Sequence, residues 1–295
     1  MDQLVSLRKR AAEHATDSAW KSTSGFGPFV WAVGSGKGGV GKTAVCGAVA
    51  RLLAEQGKKT LLVEGDLFLP NVHSLFCESA YDVDIDRFLE EGLDLEEICP
   101  CARENLYVFA PAESTEFSSR SADIYIEKII AAANGFDFVI IDVANGFLPI
   151  HQKLCQAASA FTIIVSSEQA SISNAYALIK MARISNSHLP LSILVNKSDS
   201  SELFIDTSQK LNLIVEHFLK ERLGVLGGIP FDREIPRLLQ EHHDLLEWPE
   251  NLPFINALRE ITERVKDWHC SEEGKTGHPD RVYKNKHSFN EPSFE

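Results

Sequence analysis

From Phe29 onward, short apolar runs alternate along the chain with longer segments of helical period. The apolar runs are 29–33 (FVWAV), 60–63 (TLLV), 106–109 (LYVF), 138–141 (FVII), 161–165 (FTIIV), 192–196 (SILVN) and 225–229 (VLGGI). Between them lie segments of helical spacing at 43–56, 71–77, 83–98, 120–133, 150–157, 172–185, 201–222 and 234–240. Runs that are apolar throughout, without alternation, are what strands need when helices cover both faces of a sheet. The pattern predicts an α/β fold with a doubly wound, mostly parallel sheet and helices on both faces.

One domain is expected over residues 27–268, ending in a helix at 252–268. That helix repeats Ile255, Leu258, Ile261, Val265 and Trp268 on one face, which suits packing on the sheet or lying in a membrane surface. Its polar face mixes Glu260, Glu263 and Asp267 with Arg259, Arg264 and Lys266, without the basic excess that anionic lipid rewards. Packing is therefore the preferred reading, and weak peripheral membrane association the alternative. Residues 1–26 form an appendage: a short amphipathic helix at 1–14, with Leu4, Leu7 and Ala11 on one face, then a flexible Ser22–Gly25 stretch. The polar stretch 269–295 is expected to be disordered.

Charge and composition narrow the field. The 295 residues carry a net charge of −13, which repels nucleic-acid phosphate and anionic lipid and argues against DNA as a partner. No stretch approaches the roughly 18 uninterrupted apolar residues of a membrane span, and the N-terminus lacks the apolar core of a secretory signal, so a cytoplasmic location is expected. The six cysteines show no C-x-x-C spacing, Cys99-Pro100-Cys101 being the nearest approach, and read as thiols. The ten histidines form no ligand array.

The chemistry is concentrated in Gly36-Lys37-Gly38-Gly39-Val40-Gly41-Lys42-Thr43, which satisfies G-x-x-x-x-G-K-[ST] between a strand and a helix. Its glycines let successive backbone N–H groups turn around an anion, and the helix N-terminus adds a favourable dipole. Lys42 is placed to reach the β and γ phosphates of ATP or ADP, and Thr43 to give its hydroxyl to Mg²⁺. Asp142 ends the apolar run 138–141 and reads as the carboxylate that holds Mg²⁺ through water next to Thr43.

Lys37 adds a second lysine to the loop, and K-G-G-V-G-K-T resembles the deviant phosphate loop of the MinD/ParA class. The resemblance implies that Lys37 crosses a dimer interface to the partner's nucleotide, and hence an ATP-dependent homodimer. Glu64-Gly65-Asp66-Leu67-Phe68-Leu69-Pro70-Asn71-Val72 is similar to the switch I segment of MinD and FlhG proteins, usually D-x-D-x-G-L-x-N. It implies that Asp66 orients the attacking water and that Asn71 is the switch asparagine. Val143-Ala144-Asn145-Gly146 resembles switch II, with Gly146 as a hinge sensing the γ-phosphate. Asn196-Lys197 and Pro230-Phe231-Asp232 match loops around the nucleobase, assigning adenine contacts to Asn196 and Asp232; the alternative is that both are plain turn formers.

Ser171-Ile172-Ser173-Asn174-Ala175-Tyr176-Ala177-Leu178-Ile179-Lys180 is close to the FlhG pattern S-I-T-D-A-Y-A-L-I-K, and the likeness spans about 27–265. Asp2-Gln3-Leu4-Val5-Ser6-Leu7-Arg8 is similar to the FlhG motif D-Q-A-x-x-L-R, which implies activation of an FlhF-like GTPase. The expected function is an ATP-dependent dimerising switch with slow hydrolysis that regulates flagellar number or placement through partner proteins. Three departures, Glu64 for Asp, Phe68 for a small residue and Val143 for a hydroxyl residue, keep a non-hydrolysing ATP-binding scaffold in view. In particular, the extra methylene of Glu64 is expected to crowd the metal-bound water. A ParA-like partitioning ATPase binding DNA is the remaining alternative, disfavoured by charge.

Overall fold

A computed structural model describes residues 27–67, 69–76, 82–83, 88, 94–111, 119–146 and 149–273. Phe68, the segment Asp2–Arg8 and the stretch 274–295 lie outside the described residues. The strands are β1 (Phe29–Gly34), β2 (Thr60–Gly65), β3 (Asp82–Val83), β4 (Cys101–Arg103), β5 (Leu106–Pro111), β6 (Phe138–Val143), β7 (Ala160–Val165), β8 (Leu191–Ser198) and β9 (Gly224–Pro230). The helices are α1 (Lys42–Glu55), α2 (Leu95–Ile98), α3 (Ser119–Ala132), α4 (Pro149–Ala157), α5 (Gln169–Ser185), α6 (Ser201–Leu219), α7 (Glu234–Gln240) and α8 (Pro253–Glu273).

The strands form one sheet in the order β3-β5-β2-β6-β1-β7-β8-β9, with β4 added to β5. All pairings are parallel except β4 with β5. Both faces are covered, as the unbroken apolar runs require. Along β1, Phe29, Trp31 and Val33 pack into the core beneath α1 and α8, while Val30 and Ala32 pack into the core beneath α3 to α6. The central strand β1 lies between β6 and β7, so chain connections diverge on its two sides. A crevice opens at such a point at the carboxyl ends of the strands, and ligands of open parallel sheets bind there.

Three expectations need correction. The helical reading of 71–77 reduces to a single 3-10 turn at Val72–Leu75. Of the 83–98 segment, Val83 lies in the short strand β3, and α2 spans four residues behind an Asp94 cap whose side chain accepts from Glu96 N. The final helix runs to Glu273, into the stretch read as a disordered tail. Its extra turn has a physical reason: the His269 ring packs edge-on against Phe138 and at a tilt against Phe29, at centroid distances of 5.0 and 5.9 Å.

The apolar face of α8 is packed on the sheet. Ile255, Leu258 and Val265 are fully buried and Ile261 and Trp268 nearly so. Each such side chain contributes about 1.5–3 kcal/mol by leaving water, and none of this face is available to a membrane surface. The alternative membrane reading of this helix is thereby corrected. Among the described residues, no helix is long and apolar enough to cross a membrane.

Candidate nucleotide-binding site

The loop between β1 and α1 sits at the carboxyl end of the central strand. Gly41 caps α1 with φ 90°, a left-handed conformation that favours glycine, and a Cβ there would meet the Asn196 amide at 2.5 Å. At Gly36 a Cβ would run into the Asn174 backbone at 2.4 Å. The helix carrying Ser171–Lys180 is thus pressed against the phosphate loop, which ties two separate sequence signals to one place.

Lys42 and Thr43 open α1 and turn towards β6. The buried Lys42 ammonium pairs with Asp142 Oδ1, and Thr43 Oγ1 donates to Asp142 Oδ2 at 2.6 Å. Burial alone would lower the Lys42 pKa, but the Asp142 carboxylate reverses the sign and holds it above the ordinary lysine value. Lys42 is therefore a fixed cation. Cys46, also against Asp142, is pushed well up by burial and by that same charge, so it remains a thiol.

These groups line a cavity of about 410 Å³, within the range of small-molecule sites. Gly39, Val40, Gly41, Lys42, Thr43, Asp66, Asn71, Asp142, Asn196 and Asp232 all border it. Its far end is apolar, with Pro230, Phe231, Ile235, Pro236, Leu239 and Phe254. One end thus offers cation and backbone donors to phosphates, and the other a slot for a flat base. The donor set fits Mg²⁺: a hydroxyl and a carboxylate held together, with room beside them for phosphate and water oxygens.

Asp66 and Asn71 sit on the loop after β2. Asp66 Oδ1 accepts from Leu69 N at 3.0 Å, and Asn71 Nδ2 donates to Leu69 O at 2.6 Å. Glu64 is not among the residues that line the cavity. Its carboxylate accepts from the backbone N–H groups of Asp66, Asn71 and Val72 at 2.9, 2.5 and 2.8 Å, so the expectation that it crowds the metal-bound water is corrected. Val143 is buried in the core beneath α3 to α6 rather than facing the phosphate loop. Gly146 has φ 88° after Asn145, whose Oδ1 accepts from Ser35 Oγ at 2.9 Å, joining switch II to the phosphate loop.

At the base end both assigned residues also hold the backbone. Asn196 Nδ2 donates to Val40 O at 2.7 Å and its Oδ1 accepts from Lys197 N at 2.8 Å, so this amide braces the phosphate loop and keeps one N–H and one lone pair for a base. Asp232 accepts from Glu234 N and Phe254 N, the turn-forming role that was its alternative. Lys37 is turned away from the cavity and pairs with Glu168 at the surface. Sequence reasoning missed Ser35, Glu168 and the second tie of the loop, Lys197 Nζ to Gly39 O at 2.7 Å; only the adjacency of Lys197 to Asn196 signalled any of these.

Residues 31–246 match the family model described as the CobQ/CobB/MinD/ParA nucleotide binding domain. The antiactivator FleN of Pseudomonas aeruginosa is 26% identical over 244 residues, covering 81% of this chain and 86% of FleN. The septum site-determining protein MinD of Bacillus subtilis is 23% identical over 235 residues, covering 78% of this chain and 86% of MinD. Among solved structures, MinD of Pyrococcus horikoshii complexed with Mg-ADP has a TM-score of 0.67 at 19% identity, covering 83% of this chain and 98% of that one. MinD in the MinC:MinD complex of Aquifex aeolicus has a TM-score of 0.65 at 22% identity, covering 81% and 96%. At these identities the structural likeness shows the fold.

Proposed function

Because the chain belongs to the CobQ/CobB/MinD/ParA nucleotide-binding domain family, we propose that it is an ATP-dependent dimerising switch with slow hydrolysis, acting through partner proteins on flagellar number or placement. The observation that carries the reading is the division between two loop lysines. Lys42 is buried in the cavity against Asp142, while Lys37 is held at the surface, in reach of a second copy.

In this reading the phosphate-loop N–H groups and Lys42 hold the phosphates, and Asp66 orients the water that attacks the γ-phosphorus. Thr43 and Asp142 would hold Mg²⁺, which would supply charge neutralisation to the phosphates. Asn71 and Gly146 register the γ-phosphate and relax when it leaves, which returns the dimer to monomers. Turnover is preferred over the scaffold alternative because the Glu64 carboxylate is taken up by loop N–H groups and Val143 is buried in the core.

The flagellar role rests on the FlhG-like residues and the similarity to FleN, and the partner assignment on Asp2–Arg8, which resembles the FlhF-activating motif. The protein is read as cytoplasmic. Light scattering of the full chain with ATP and with ADP tests the core of the proposal: a doubling of mass is expected with ATP only. A monomer under both conditions refutes it.

A further inference from the structure

We infer that Glu64 is a positioning residue, whose carboxylate clamps the backbone of 66–72 and so sets Asp66 and Asn71 at the mouth of the cavity; this rests on the hydrolytic reading above. Glu64 is the penultimate residue of β2 and is completely buried, yet it is anchored from both directions. Its own carbonyl accepts from the hydroxyl of the buried Tyr125 on α3 at 2.7 Å. Its side chain gathers three loop N–H groups: Oε1 takes Asp66 N, and Oε2 takes Asn71 N and Val72 N.

A buried carboxylate without partners is costly, and three backbone donors are the kind of compensation that makes such a group tolerable. The same bonds bind the two ends of a loop, residue 66 and residues 71–72, to one point. Length matters here. An aspartate is shorter by one methylene, about 1.5 Å of reach, which opens bonds of 2.5–2.9 Å beyond hydrogen-bond distance. Glutamate is therefore not a loose fit for the usual aspartate but the residue that lets the clamp span this loop.

The two views of Glu64 predict opposite outcomes for Glu64→Asp. If the longer side chain obstructs the site, shortening it raises turnover; if it clamps the loop, shortening it frees Asp66. The experiment uses the full chain at pH 8 with Glu64→Asp and Glu64→Gln, the latter keeping the reach and one acceptor oxygen, enough for Asn71 N and Val72 N but not also for Asp66 N.

In the nucleotide-free protein, amide exchange of Asn71 and Val72 is expected to accelerate at least about tenfold in Glu64→Asp and by no more than about threefold in Glu64→Gln. In phosphate release, Glu64→Asp is expected to lose about tenfold or more in kcat with KM for ATP within about threefold, and Glu64→Gln, which gives up only the Asp66 bond, to lose less. Wild-type exchange at Asn71 and Val72 in Glu64→Asp, or unchanged or faster turnover, overturns the inference. A wild-type protein that binds no fluorescent ATP analogue refutes the nucleotide reading instead, and the exchange measurement still decides the clamp.

Discussion

Glu64 and Asp142 are register partners on the adjacent parallel strands β2 and β6, and their two carboxylates serve different loops. Asp142 takes Lys42 and Thr43 of the phosphate loop, whereas Glu64 takes the N–H groups of 66–72. The sheet thus places the phosphate-binding and water-positioning segments side by side by register alone. Their proximity has an electrostatic effect: burial, and then the Asp142 charge, raise the Glu64 pKa to about 7 against the lowering effect of its N–H donors.

That shift makes stability depend on pH. The folded value lies above the ordinary 4.5, so the native protein holds a proton that the unfolded chain releases between the two. The contribution is fully present below about 4.5 and is lost as pH rises through about 7, up to roughly 3 kcal/mol in total. Urea midpoints between pH 5 and 8 are expected to fall more steeply for wild type than for Glu64→Gln. Parallel profiles would show that Glu64 does not titrate in this window.

Lys42→Ala removes the buried cation facing Asp142 and is expected to weaken ATP binding by more than about 100-fold. Lys37→Ala, which alters only a surface pair, is expected to bind ATP within about threefold of wild type but to remain monomeric in light scattering. ATP-dependent dimers of Lys37→Ala would refute the two-lysine division.

Asp66→Ala should slow phosphate release by about 10²–10⁴-fold, the range for losing a positioned general base, while leaving ATP affinity nearly unchanged. The dimer should consequently persist after ATP is added. Dissociation at the wild-type rate would remove Asp66 from the chemistry.

Leu258→Ala on α8 opens a fully buried site and is expected to lower stability by about 2–5 kcal/mol in urea unfolding. Liposome co-sedimentation should show no ATP-dependent binding that vanishes when the chain is cut at Asn251. Such binding, lost with the helix, would contradict the packed face.

A peptide of residues 1–20 is expected to stimulate an FlhF-like GTPase, and Gln3→Ala with Arg8→Ala to abolish the effect without changing ATP-dependent dimerisation. A full partner response from a chain lacking residues 1–20 would end the flagellar partner assignment.

The phosphate loop was legible in sequence because its chemistry is local: Gly36 to Thr43 carry their own backbone geometry, and Asp142 is marked by the strand it ends. The sheet was legible because burial on both faces leaves unbroken apolar runs. What escaped depends on contacts distant in the chain. Asn196 reaches Val40 across 156 positions, which no spacing reveals. Whether Glu64 turns to a metal or to a loop depends on the path of the backbone at 66–72. The last turn of α8 has a polar sequence, and its helicity follows from His269 meeting Phe29 and Phe138.

That ring contact fixes where the two ends of the domain lie. His269 lies against the first residues of β1 and β6, so the start of β1 and the end of α8 meet at the pole of the sheet opposite the nucleotide cavity, one six-residue strand or about 20 Å away. In the proposed dimer two such poles would be presented where a monomer presents one, so a partner with two docking points would gain avidity without any new contact.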